Sequence, residues 1–92
     1  MKVKNLNGTS ANACKKCGSW LAHWEKLSGK TAKTCCCKGC ANDAKVGAHV
    51  QKDTTDMSWY IIPLCHACNK KPSTEVFELN TGSTLESAVA CS

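Results

Sequence analysis

The chain has 92 residues, with twelve lysines, seven acidic residues, nine cysteines and a formal net charge of +5. Leu, Ile, Val and Phe supply only fourteen of these residues, about 15%, below the roughly 20% under which an unsupported chain tends toward disorder. A core that small cannot offset the ordering entropy of the chain alone. This excludes a large hydrophobic ligand pocket, a TIM barrel or a Rossmann unit, and leaves disulfides or metal as the support.

Taken in chain order, residues 1–13 read as a short strand at most, then a loop. Cys14-Lys-Lys-Cys17 is a first knuckle. Residues 19–27 place Trp20, Trp24 and Leu27 on one helical stripe, with Ser19 as N-cap and Gly29 as stop. Residues 14–34 therefore read as an N-terminal knuckle and short helix, with 30–34 a linker. Cys35-Cys36-Cys37-Lys38-Gly39-Cys40 follows. Residues 44–50 and 59–64 read as two strands joined by a turn at 53–56. Cys65-His66-Ala67-Cys68 should open a short helix that Pro72 limits. Residues 75–79 and 83–90, separated by Asn80-Thr81-Gly82, read as a C-terminal hairpin within 73–91.

No apolar run near Met1 could serve as the core of a signal peptide, and the longest apolar piece, residues 59–64, is too short to span a membrane. A cytoplasmic chain without membrane contact is expected. There the thiols stay reduced, and clustered cysteines read as metal ligands. The spacing CxxC occurs three times, at Cys14/Cys17, Cys37/Cys40 and Cys65/Cys68. Two intervening residues let a tight turn aim both sulfurs at one tetrahedral ion, so zinc is the expected cofactor. Cys37, Cys40, Cys65 and Cys68 form the expected first site, because a knuckle, a hairpin and a helix start can bring all four sulfurs together as a treble clef. Cys36 could replace Cys37 in that set. Cys14, Cys17 and Cys36 form a possible second site, completed by His23 or Cys91; Cys35 is an alternative to Cys36 there. The expected fold is thus one small zinc-dependent α+β domain, with the treble clef at 35–71. Trp20, Trp24 and Trp59 are read as core filling, with Trp59, Ile61 and Val46 over the metal. Stacking of single-stranded bases is the sharper alternative for the tryptophans.

Cys37-x2-Cys40, then Gly47-Ala48-His49-Val50, then Trp59-Tyr-Ile-Ile-Pro-Leu-Cys65-x2-Cys68-Asn69 resembles the HNH, or ββα-metal, nucleases that carry a structural zinc. The likeness covers about residues 36–71. It implies an HNH-like ββα centre and places His49 at the family's general-base position. Three signature features depart from the family. Ala48 stands where a metal-binding acid or His would be, no Asn precedes the second strand, and Asn69 replaces the final His.

Residues 1–52 carry ten lysines against Glu25 and Asp43, whereas residues 53–92 carry two lysines against five acids. Every basic residue is Lys, which gives charge for phosphates but not the bidentate fork that reads base edges. The functional expectation is a non-catalytic zinc-binding module that contacts DNA or RNA weakly through its Lys-rich N-terminal half, or a protein partner. The alternative is a metal-dependent endonuclease using His49 as general base.

Overall fold

A computed structural model gives the architecture of the chain, and it describes residues 1–6, 19–72 and 74–88. The element order is β1 (Lys2–Asn5), α1 (Trp20–Ser28), β2 (Val46–Lys52), β3 (Tyr60–Leu64), α2 (His66–Asn69), β4 (Val76–Glu78) and β5 (Glu86–Ser87). All strand pairings are antiparallel, in the order β4-β1-β2-β3-β5. The chain is therefore an α+β domain built on one sheet. No helix among the described residues is long and apolar enough to cross a membrane.

The helix α1 forms where its end signals stand. The Ser19 side chain accepts a hydrogen bond from the Ala22 N–H at 3.1 Å. Gly29 closes the helix at φ 71°, a backbone position that costs a residue without a Cβ nothing. The stripe differs from expectation at one end, because His23 and Trp24 are buried while Leu27 is exposed.

Strand alternation divides the sheet into two faces. Val3, Val50, Ile62, Leu64 and Phe77 line one face, packed with Cys35, Cys37, Cys65 and Cys68. The other face carries α1 over Gly47, His49 and Ile61. The close approach of α1 requires Gly47. A Cβ there would lie 2.5 Å from the Leu21 nitrogen and 2.7 Å from the Trp20 carbonyl oxygen, both backbone atoms that cannot swing aside.

The short N-terminal strand forms as expected and lies inside the sheet, since Val3 is fully buried and β1 is paired on both sides. One expectation needs correction. The C-terminal segment is not a hairpin: β4 pairs with β1 and β5 with β3, at opposite edges of the sheet. The turn at 80–83 does form, with the Ser83 N–H on the Asn80 carbonyl at 3.1 Å and Gly82 at φ 84°. The three-stranded β1-β2-β3 unit offers two edges of backbone groups, and each takes one strand from the tail.

Gly47→Ala should destabilise the domain by about 1–3 kcal/mol, the usual cost of overpacking. The measurement is the urea unfolding midpoint at constant metal loading; an unchanged midpoint would show that α1 can lift off β2 freely.

Candidate metal centre

Four sulfurs meet at one end of the sheet. The ligand atoms of Cys35, Cys40, Cys65 and Cys68 all lie within 4.8 Å of one another, and the Cys40 and Cys65 sulfurs are 3.8 Å apart. A tetrahedral ion with metal–sulfur bonds of about 2.3 Å has ligand–ligand edges of about 3.8 Å. One edge already has that length, so the four residues fit a tetrahedral metal with a small contraction elsewhere. Four close cysteines can hold a metal ion here.

Each of the four cysteines is placed by a local device. Residues 33–35 pair with 42–44 through Cys35 N–H to Asn42 O at 2.9 Å and Ala44 N–H to Lys33 O at 3.0 Å. This short ladder, extended by the bridge between Thr34 and Asp43, sets the base of the knuckle. Its tip turns at Gly39, φ 82°, and closes with Cys40 N–H on the Cys37 carbonyl at 3.0 Å. The segment between is gripped from both sides: Cys36 N–H donates to Pro63 O, Lys38 N–H to Glu78 O and Asn80 N–H to Cys36 O. Cys65 ends β3 and caps α2, and its sulfur accepts the Cys68 N–H at 3.5 Å. The buried amide of Asn5 ties β1 to α2, donating to the carbonyls of Cys68 and Lys71 at 3.0 Å each.

The thiols differ in acidity. The Cys68 N–H, with the Asn42 side chain 3.8 Å from the Cys65 sulfur, pulls Cys65 down to about 6. Burial pushes Cys35 up to about 11, against N–H groups of Cys65 and Cys37 that favour its thiolate. Burial and the adjoining thiols of Cys65, Cys35 and Cys37 push Cys68 up as well. Without a cation the site favours one thiolate among several thiols. A metal ion supplies the charge that lets the remaining protons leave.

The structure brings together three of the four residues expected at the first site, Cys40, Cys65 and Cys68. Cys37 is buried beside Cys68 but outside the set of four, and Cys35 takes the fourth corner. Alternation along the cysteine run turns Cys35 and Cys37 to the same side, so the backbone pairing of 33–35 with 42–44 is what separates them. Cys35 and Cys37 point inward. Cys36 points the other way, into a pocket of about 210 Å³ lined by Trp24, Lys30, Thr34 and Ser83. CxxC spacing favours Cys37, whereas the ladder at 33–44 decides for Cys35. Asn42 and Asn5 were not legible as supports, because neither has a spacing signature.

Cys14, Cys17 and Cys91 lie outside the described residues. Of their expected companions, Cys36 faces the Trp24 pocket, and His23 holds its Nε2 2.9 Å from the Ser87 carbonyl. Among the described residues, the four-cysteine cluster is the one group of three or more close metal-ligating side chains. His66 is exposed. Trp59 does not cover the cluster: it is 45% exposed and sits near His49 on the helix face.

His49 is enclosed. It is 5% exposed, its ring lies edge-on to Trp20 at 4.5 Å and to Trp59 at 6.2 Å, and its Nδ1 is buried without a hydrogen-bond partner. Burial, and then the nearby His23, hold its imidazole below the usual value.

Cys35→Ser should lower metal content sharply, and Cys37→Ser should leave one ion per chain bound, as read by native mass spectrometry. Removing the metal with a chelator should unfold the domain, since ligand binding supplies much of the folding free energy in so small a core. Equal metal loss in both variants would place Cys37 in the coordination sphere.

The His49 shift carries a pH dependence. In the unfolded chain the imidazole takes up a proton near pH 6.5, in the native state only at lower pH. Between those values the unfolded state binds more protons, so stability falls as pH drops through that window and levels off below it. The urea midpoint should therefore fall more for the parent chain than for His49→Gln when pH is lowered from about 7 to about 5. Thiolate protonation is common to both chains, and the difference between them isolates His49.

Comparison of the chain with protein-family models, with curated proteins and with solved structures returns no match.

Proposed function

We propose that the cluster of Cys35, Cys40, Cys65 and Cys68 binds one zinc ion at the centre of a treble clef. On this reading the protein is a non-catalytic, cytoplasmic zinc module that contacts nucleic acid weakly through its Lys-rich N-terminal half. The observation that carries the proposal is the convergence of four sulfurs from a knuckle and from a strand–helix junction. An all-thiolate tetrahedral set is the donor chemistry of structural zinc, which leaves no open coordination position for a substrate. When bound, zinc would cross-link the knuckle to the β3–α2 junction and hold the sheet end together. The residues around it supply the rest: Asn42 and the Cys68 N–H steady the Cys65 sulfur, and Asn5 fixes α2.

The nucleic-acid part of the proposal rests on charge. Ten of the twelve lysines fall in residues 1–52, facing only two acids there. Lysine without arginine contacts phosphates as a point charge and discriminates poorly among bases. The endonuclease alternative, with the HNH-like likeness behind it, asks His49 to deprotonate a water. The enclosure of that imidazole between Trp20 and Trp59 speaks against it, as does Ala48, a side chain that offers a cation no ligand atom.

Binding to duplex DNA should be micromolar or weaker, with little sequence preference. Replacing Lys15, Lys16, Lys30 and Lys33 by Gln should flatten the log–log salt slope by about 0.9 for each phosphate that is no longer neutralised. Plasmid DNA incubated with Mg²⁺ or Mn²⁺ should stay intact. Metal-dependent nicking that disappears in His49→Ala would replace this proposal with the nuclease.

A further inference from the structure

The helix-bearing face of the sheet extends beyond α1. The helix packs on β2, β3 and β5. Past it, strand alternation sets Gln51, Lys4 and Val76 in one cross-strand row and Lys2 and Glu78 in the next. Lys2 is exposed, Lys4 is half-buried and Val76 is 41% exposed. At the border with α1 stands Trp59, 45% exposed and edge-on to His49. Its backbone is fixed, because the Ala88 N–H donates to the Trp59 carbonyl at 3.1 Å. The neighbouring Met57 carbonyl accepts from the buried Gln51 amide at 2.8 Å. Two acids share these rows: Glu78, held at 3.0 Å by Lys38 from the knuckle and kept below the usual carboxyl range chiefly by that lysine, and Asp53, which stands across from Lys2 with its N–H on the Lys2 carbonyl at 3.0 Å. With Lys38 beside them, the two β1 lysines outnumber these two acids on this face.

We propose that this face binds a single-stranded segment of nucleic acid, with one base stacked on Trp59 and the phosphate backbone running across Lys4 and Lys2. Three features select this occupant. A rigid aromatic ring that is half open to solvent offers a stacking platform, and only an unpaired base has a free face to lay on it. Lys4 lies about two strand spacings away, about 10 Å, and Lys2 one row further along β1, within reach of successive phosphates next to the stacked base. The sheet beneath is held by backbone pairing, so little ordering entropy is lost on binding. A duplex could use the lysines but not the ring. The inference rests on the nucleic-acid reading above and narrows it to a strand form and a surface.

The test is fluorescence anisotropy at low salt with labelled oligothymidine, oligouridine and a mixed-sequence duplex, each protein variant being checked for retained metal content. Both single strands should bind more tightly than the duplex; a preference between them separates a DNA partner from an RNA partner. Trp59→Ala should weaken single-strand binding about tenfold or more, the effect of removing one stacked base, and leave the duplex almost unchanged. Trp59→Phe should keep most of the affinity, which retains the test if the alanine variant folds poorly. Lys2→Gln with Lys4→Gln should lower the single-strand salt slope by about 0.7 for each phosphate released. Single-strand binding that ignores both Trp59→Ala and the lysine pair would overturn this surface while leaving nucleic-acid binding elsewhere on the chain. Absence of binding to all three probes would overturn the nucleic-acid reading itself, and a protein partner would take its place.

Discussion

Four sulfurs within 4.8 Å of each other are the constraint on which the rest of this structure depends. Thiols crowded into an apolar environment resist ionisation, as the upward shifts of Cys35 and Cys68 show, while donors aimed at Cys65 draw it the other way. A cation held there would resolve that opposition by neutralising the thiolates it creates. The same point joins three stretches of chain: the knuckle at 35–40, the end of β3, and α2. In a chain with so few large aliphatic residues, a metal cross-link at this point would do what a larger core does elsewhere.

The backbone around the cluster is correspondingly well tied. The ladder between 33–35 and 42–44 fixes the knuckle from below, and hydrogen bonds from Cys36 and Lys38 hold it between β3 and the end of β4. Asn5 reaches from β1 to the carbonyls at the end of α2. These bonds bring the N-terminal strand and the tail into the support of a site to which neither supplies a ligand, and they explain why a strand of four residues lies inside the sheet.

The opposite face follows a different logic. Gly47 lets α1 settle onto β2, and Trp24 is buried there with its ring N–H on the Thr84 carbonyl at 2.8 Å. This packing encloses His23 and His49, and the neutral form of His49 suits its surroundings between Trp20 and Trp59. Trp59, by contrast, is left at the margin. The three tryptophans thus divide by position: Trp24 fills core, Trp20 bridges helix and sheet, and Trp59 faces outward on the side of the sheet that carries the β1 lysines.

Composition alone determined that the domain needs a non-hydrophobic support, and the CxxC spacings located three of the four converging residues, Cys40, Cys65 and Cys68. Local signals were equally legible for α1, because Ser19 and Gly29 act on their immediate neighbours, and for the β2–β3 pair, whose apolar runs flank a turn. What spacing could not decide was which of three adjacent cysteines joins the cluster. That depends on pairing with residues 42–44 and on backbone hydrogen bonds to Pro63 and Asn80, which lie beyond the reach of any local signal. The same limit applies to the tail, where a turn sequence between two short strands looks like a hairpin. Only the open edges at β1 and β3, created by the rest of the sheet, draw β4 and β5 apart. Trp59 was expected to fill core over the metal, but strand alternation sets it on the helix-bearing face, away from the four cysteines. Short-range capping and spacing are written into neighbouring residues, whereas strand partners and side-chain exposure are settled by segments far away in sequence competing for the same surface.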